Sequence, residues 1–310
     1  MCAIFLIEKA SVPISITLAF IAGVAATLQA GISGQLAKEL NDGIMAALVS
    51  NIGGTIFTAL FLLNPNVRKQ AMKLFKAVVS GNFAKWQLLG GVAGAVYIST
   101  ASSTVSIIGT GLFTVVLVAS QNVSGIIVDK FGFSSGSKRK ITPKRALAVV
   151  IGIVAVLLSV SEFEGKILWL PILAVVIAGL AVTIQFALNG RVTKASNSQV
   201  SAFINFPMSM FAVLITLIVM NLFGKNWNSW PDQWWLYSAG FLGAVVVFLA
   251  AATIRTLGVL LFGLASVAGQ LITSIALDVI LPNANINVGW ALISGAGLML
   301  LAVYLASDLR

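Results

Sequence analysis

Apolar segments of about 20 residues follow one another along the whole chain, separated by short polar connections. A helix of that length crosses the hydrocarbon core of a bilayer. Charged residues make up only 9% of the 310 residues, whereas a soluble domain carries roughly a quarter. We therefore predict an all-α polytopic membrane protein with ten transmembrane helices. The predicted spans are Ile14–Leu36, Ile44–Leu63, Trp86–Val105, Gly109–Val128, Arg145–Val160, Leu168–Asn189, Val200–Phe223, Trp234–Ile254, Gly258–Leu281 and Val288–Ala306.

The residue types that the chain lacks narrow the chemistry. It has no His, and its single Cys, Cys2, stands next to the N-terminus. Thiolate or imidazole metal sites, a His-dependent nucleophile and an intrachain disulfide are therefore excluded. We expect neither an enzyme nor a protein with a metal or cofactor.

The Lys and Arg residues predict the orientation, because cytoplasmic loops collect positive charge. With ten spans, 16 of the 19 fall in the terminal segments and the loops on the side of the termini. Only Lys38, Lys166 and Lys225 fall on the opposite side. Both termini are therefore predicted to face the cytoplasm, with the protein in the cell membrane.

Two basic segments raise the question of further partners. Asn66–Val79 places apolar residues at helical spacing and is predicted to be an amphipathic helix on the membrane surface. Its cations are expected to attract anionic lipid: Arg68, Lys69, Lys73 and Lys76. The loop Ser134–Lys144 lacks the aromatic residues and folded basic surface of a nucleic-acid site. The net charge of +10 is thus interpreted as a topology signal, and no nucleic acid is expected.

The chain also repeats itself. The segment that begins at Ala22 returns 156 residues later at Ala178, with seven identities in 17 positions, including Gln29 with Gln185. A second pair, 149 residues apart, shares the pattern G-x11-Q-x7-D and ends at Asp129 and Asp278. We predict two repeats, residues 1–163 and 164–310.

Each repeat holds five predicted spans, and an odd number inverts the second copy relative to the first. The result is an inverted five-helix repeat with a pseudo-two-fold axis in the membrane plane. Such a repeat has two near-equivalent asymmetric states, one open to each side, which is the basis of alternating access.

The sequence at this point resembles the drug/metabolite transporter superfamily. The chain is similar to the YdcZ-like branch of this superfamily in three segments: AGVAATLQAGISGQLAK, LLGGVAGAVY and the Gln-x7-Asp ending of the fourth span. It resembles a two-copy form of that branch, with five plus five helices. The resemblance covers nearly the whole chain and implies a transporter fold. Small multidrug exporters of the superfamily carry a glutamate in the first helix, where this chain has Gln29 and, in the second repeat, Gln185.

Polar residues inside the spans form stripes that have two interpretations. They line a central substrate-binding cavity, or they join helices by hydrogen bonds worth about 0.6–2 kcal/mol each. Because the stripes occur on several helices of both repeats, we favour the cavity for the set as a whole. The candidate lining residues are Gln29, Asn51, Tyr97, Gln121, Gln185, Asn205 and Gln270.

Three further residues are candidates for gating. Asp129 and Asp278 end matched spans on opposite sides of the membrane, where they are either hydrated interfacial groups or parts of a gate. Pro207 is expected to kink the seventh span beside Asn205.

The sequence as a whole predicts a secondary transporter that moves a small metabolite or drug-like solute by alternating access. Amides, hydroxyls and one phenol favour a neutral, zwitterionic or weakly charged solute, carried by a monomeric unit. The alternative is a non-transporting membrane scaffold or partner protein in which the amides serve assembly alone.

Overall fold

The computed structural model describes residues 11–130, 143–161, 169–221, 228–280 and 289–307, and these are helical almost throughout. Three short 3-10 turns, Leu60–Leu63, Lys85–Leu89 and Trp234–Ser238, extend or precede α-helices. No strand occurs in these ranges. The α-helices of the described chain are α1 Val12–Leu40, α2 Gly43–Ala59, α3 Pro65–Val79, α4 Gly90–Ile108, α5 Thr110–Lys130, α6 Pro143–Ser161, α7 Trp169–Ala195, α8 Ser198–Asn221, α9 Ala239–Ile280 and α10 Trp290–Ser307.

Local sequence explains the tight hairpin between α1 and α2. Asn41 ends α1 in the left-handed conformation, with φ of 54°, which asparagine tolerates better than most residues. Asp42 then caps α2, because its carboxylate accepts hydrogen bonds from the backbone N–H groups of Ile44 and Met45 at 2.8 and 3.0 Å.

The helices have the length and surface of membrane-spanning segments. Among the described residues, six helical segments are long and apolar enough to cross a bilayer, and three shorter segments are apolar as well; helix α9 contributes to one of each kind. Large apolar side chains point outwards, for example Val150 and Leu157 of α6, which are 57% and 62% exposed. Lipid is the solvent that suits such a surface. The protein is therefore a multi-pass membrane protein.

Helix α9 is the element in which the structure departs most from the predicted spans. The sequence predicts two helices with a break at residues 255–257, whereas the backbone is helical through all 42 residues of Ala239–Ile280. The stretch contains no proline and only Gly258 near the expected break, so the local sequence does not force the backbone out of helical conformation.

This long helix cannot be straight. Near its start, Gly243 lies against Gln29 of α1, and further on Gly269 lies against the carbonyl of Phe20. A straight helix from Gly243 to Gly269 is about 39 Å long, whereas Phe20 and Gln29 are only about 14 Å apart along α1. Helix α9 must therefore bend sharply, so that its two arms, before and after the bend, both pack on α1.

The charged residues divide the helix bundle into two ends. The four described carboxylates, Glu39, Asp42, Asp232 and Asp278, lie at what we call the acidic end. The opposite, basic end carries Arg191 and Lys194 and the amphipathic helix α3, whose Val67 and Leu74 pack against Val192 and Val200. Helix α3 starts one residue before its predicted bound and ends where predicted. Of the loop Ser134–Lys144, residues 134–142 lie outside the described ranges.

Candidate functional site

All seven polar residues singled out from the sequence line one cavity at the centre of the bundle. The cavity measures about 60 Å³, room for a few water molecules, and is walled by residues of α1, α2, α4, α5, α7, α8 and α9. We call it the central cavity. Around it stand Gln29, Asn51, Tyr97, Gln121, Gln185, Asn205 and Gln270.

Some of these groups already have hydrogen-bond partners. The Asn205 side-chain oxygen accepts hydrogen bonds from the amide nitrogens of Gln185 and Asn189, each at 3.0 Å. Gln270 donates to the hydroxyl of Ser266 at 3.2 Å, and Asn51 donates to the carbonyl of Ala47 one turn earlier.

Three other groups make no hydrogen bond to any described residue: the amides of Gln29 and Gln121 and the phenol of Tyr97. Gln29 is only 6% exposed, so its amide is buried with its hydrogen-bonding capacity directed at the cavity. A buried polar group without a partner is costly. A bound solute or water would therefore satisfy Gln29 above all, and the half-buried Gln121 and Tyr97 are open to the same partners.

Two glycines let the cavity amides approach neighbouring helices. A Cβ on Gly94 would stand 2.6 Å from the amide nitrogen of Gln185, and a Cβ on Gly243 would overlap the amide of Gln29. Any larger residue at either glycine would displace the glutamine beside it.

A second, larger cavity lies between α7 and α9 at the basic end. It measures about 510 Å³, within the range of small-molecule sites, and shares Phe186 and Val247 with the wall of the central cavity. Its wall also includes Lys194, whose side chain is exposed, so the cavity reaches the protein surface. We call it the vestibule.

At the acidic end, Asp278 joins the second repeat to the first. The carboxylate of Asp278 accepts hydrogen bonds from the N–H groups of Thr110 and Gly111 at 3.1 and 2.6 Å, and also from the Thr110 hydroxyl. It thus caps the start of α5. Nearby, within the first repeat, a Cβ on Gly34 would stand 3.0 Å from Cβ of Val105, so α1 and α4 are in tight contact.

The structure says less about the other two gating candidates, Asp129 and Pro207. The side chain of Asp129 lies outside the described part of the structure. Pro207 lies within α8, which remains helical on both sides of it. Neither Pro207 nor Asp278 belongs to the described lining of the two cavities.

The prediction from sequence did not select some residues that the structure places at these cavities. Asn189 lies one turn after Gln185 on the same face of α7, and that spacing could have identified it. Phe186 and Lys194 gave no such signal, because an aromatic residue and a lysine near a helix end are ordinary in a membrane helix. Within the described ranges, no cluster of His, Cys, Asp or Glu could hold a metal ion.

Comparison with known proteins agrees with this architecture. The family described as "Putative inner membrane exporter, YdcZ" matches the chain twice, at residues 14–158 and 170–305. No protein with a curated description matches. One solved protein crystal structure aligns with 96% of this chain and 97% of its own, with a TM-score of 0.58 and 16% sequence identity. At that identity, the likeness shows a shared fold alone.

Proposed function

The chain belongs to the YdcZ family of inner membrane exporters, in a two-copy form, and we propose that it is a secondary transporter working by alternating access. It moves a small solute across the cytoplasmic membrane through the central cavity. The observation that carries this proposal is a pair of reciprocal contacts between the two repeats.

In these contacts each repeat places a glutamine against a glycine of the other. Gln185 lies against Gly94, and Gln29 lies against Gly243. The glutamines are 156 residues apart and the glycines 149, which are the two offsets of the sequence repeat. A two-fold relation between the repeats accounts for both contacts at once.

A second pair of contacts follows the same relation. A Cβ on Gly23 would overlap the carbonyl oxygen of Ser266, and a Cβ on Gly179 would stand 2.8 Å from the carbonyl oxygen of Leu117. Gly23 and Gly179 are repeat-related, and so are Leu117 and Ser266. The first helix of each repeat is thus packed against the fourth span of the other.

The bend in α9 bears on the number of crossings. If its two arms each cross the membrane, each repeat has five crossing segments, and the second repeat, 164–310, is inverted relative to the first, 1–163. A pseudo-two-fold axis then lies in the membrane plane. The excess of Lys and Arg puts the basic end, with both termini, in the cytoplasm.

The contacts at the two ends correspond to one state of such a transporter. The acidic end is closed by Asp278 and by the contact of Gly34 with Val105, while the vestibule reaches the basic end. With the orientation above, this is an inward-facing state. Asp278 then belongs to an outer gate, Asp129 stands at the corresponding inner position, and Pro207 is a hinge beside Asn205.

The chemistry of the central cavity limits the solute. Its described lining carries no charge, and its available groups are two amides and a phenol, from Gln29, Gln121 and Tyr97. At about 60 Å³ the cavity must widen, or combine with the vestibule, to hold a solute. A neutral, zwitterionic or weakly charged solute suits this lining.

The test begins with a screen of metabolites for thermal stabilisation of the purified protein. A solute that stabilises it is then followed by flux into liposomes. Gln29→Leu should abolish flux while the protein stays folded, because the buried amide no longer contacts the solute. Gln35→Leu, on the same helix but outside both cavities, should transport normally. Normal flux with Gln29→Leu would contradict the proposal that the solute binds in the central cavity.

Thiol labelling separates a transporter from a scaffold without knowledge of the solute. In a variant with Cys2 replaced by Ser, Gln121→Cys and Gln270→Cys should each react with water-soluble reagents added from either side of the membrane. Protection of both positions from both sides would favour a packed scaffold and contradict alternating access.

A further inference from the structure

The vestibule combines an apolar wall with a polar one. Val247, Ala250 and Ala251 of α9 form the apolar side, and Asn189, Thr193 and Lys194 of α7 the polar side. Among the described lining residues Lys194 alone is charged.

Lys194 forms no ion pair with any described residue. The four carboxylates whose side chains are described all lie at the acidic end, and Asp129, near the basic end of α5, belongs to a helix that contributes no described residue to the vestibule wall. A cation at the mouth of a cavity with low-dielectric walls raises the local concentration of anions. The vestibule is therefore electrostatically suited to an anionic group.

The tendency of cytoplasmic loops to collect positive charge does not by itself account for Lys194. That tendency explains the excess of cations at the basic end, but it gives no reason for a cation at the acidic end, where Lys38 lies. Lys38 and Lys194 hold the same position in the two repeats, four residues after Gly34 and Gly190 respectively. The lysine therefore belongs to the repeated unit and not to one side of the membrane.

The two copies of this unit have different surroundings. A Cβ on Gly34 would stand 3.0 Å from Cβ of Val105, whereas no described atom lies within 4 Å of a Cβ built on Gly190. Gly190 faces the vestibule. Gly34 is thus closely packed at the acidic end and Gly190 is accessible at the basic end, whereas the side chains of Lys38 and Lys194 are both exposed.

We propose that Lys194 binds the anionic group of the transported solute as it enters the vestibule, and that Lys38 receives this group when the path opens at the acidic end. The solute class is then a small molecule with one carboxylate or phosphate and an apolar portion, which packs on Val247, Ala250 and Ala251. This inference rests on the transport function proposed above. It narrows the solute to weakly acidic or zwitterionic compounds.

Two thiol reagents of opposite charge test the vestibule without knowledge of the solute. In the variant with Cys2→Ser, Gly190→Cys places a thiol in the vestibule. Its reaction rates with sulfonatoethyl and trimethylammonioethyl methanethiosulfonate are compared in phosphatidylcholine nanodiscs. Lys194→Gln should lower the ratio of the anionic to the cationic rate by about threefold or more, since it removes a unit charge a few ångströms away. Lys194→Arg should preserve the ratio, and so should the matched control Lys38→Gln.

An unchanged ratio with Lys194→Gln overturns the proposal, and so does a thiol that reacts with neither reagent. Neither result touches the flux assay with Gln29→Leu, so the two proposals fail separately. A second arm identifies the source of the anion. If phosphatidylglycerol in the nanodisc slows the anionic reagent, and Lys194→Gln removes this effect, the bound group is a lipid headgroup. Equal rates in both lipids assign the site to a soluble solute.

Discussion

The side-chain amide of Gln29 packs against Gly243 so closely that no room remains for a methyl group on the glycine. Gln185 and Gly94 make the repeat-related contact with the same two residue types. These paired contacts join the repeats beside the central cavity, and they make the stability of the bundle depend on the absence of two side chains.

Gly94→Ala and Gly243→Ala are therefore expected to destabilise the protein by about 1–3 kcal/mol each, because the added methyl group displaces a buried glutamine. Thermal unfolding of the purified variants measures the effect. Gly125→Ala is the matched control, since no described atom lies within 4 Å of its Cβ position. If all three variants unfold at the same temperature, the close contacts of Gly94 and Gly243 with the glutamines do not exist.

The two cavity glutamines should respond differently to the same substitution. Gln185→Leu removes a hydrogen bond to Asn205 and should cost about 0.6–2 kcal/mol of stability. Gln29→Leu removes no hydrogen bond to a described residue and should leave the unfolding temperature unchanged or raised. Equal losses for the two variants would contradict the assignment of Gln29 as the uncommitted amide.

Asp278 is expected to hold the acidic end closed. Asp278→Ala removes the acceptor of the Thr110 and Gly111 N–H groups, and charge-assisted bonds of this kind are worth about 1.5–3 kcal/mol. Ser33→Cys, fully buried beside this end, should then react about tenfold faster with a membrane-impermeant thiol reagent in the Cys2→Ser background. The exposed Asp232 provides the control, Asp232→Ala, which should leave the rate unchanged. If neither Asp278→Ala nor Asp232→Ala changes the reaction rate of the thiol at position 33, Asp278 does not hold the acidic end closed.

The bend in α9 predicts a short distance between its two arms. Spin labels at Phe241→Cys and Ile272→Cys, both exposed positions, would lie about 46 Å apart on a straight helix. We expect less than about 30 Å, because both arms pack on α1. Double electron–electron resonance in nanodiscs measures this distance, and a value near that of a straight helix would disprove the bend.

Helix α3 is expected to bind anionic lipid. Its Lys69, Lys73 and Lys76 occur together with the exposed apolar residue Phe75, which suits a helix lying in the lipid headgroup region. Replacing the three lysines by Gln should reduce the thermal stabilisation given by phosphatidylglycerol, since each cation near the surface contributes about 1 kcal/mol. Lys38→Gln at the acidic end should retain it. Full stabilisation of the triple variant would rule out the lipid site.

The residues of the central cavity could be selected from sequence because two signals coincided there. Gln29 and Gln185 are costly in a membrane helix, and each recurs at the repeat offset of the other. The vestibule gave no comparable signal. Phe186 is apolar and Lys194 stands near a helix end, so only their packing around a shared cavity distinguishes them.

The sequence was also a good guide to where helices begin but not to how α9 connects its arms. The predicted break at residues 255–257 rested on a single Arg between apolar segments, and an arginine is a good helix former. The contacts of Gly243 and Gly269 with α1 bend the helix without ending it. Tertiary packing decides such a case, and local sequence does not.

The unequal hydrogen bonding of the two cavity glutamines also bears on the populations of the two transport states. If the repeats exchange roles on switching, Gln29 acquires the partners that Gln185 has now, and Gln185 gives them up. A substitution at either residue then biases the equilibrium in opposite directions, in addition to weakening the site. The double substitution would restore the balance of the two populations while leaving the site without either amide.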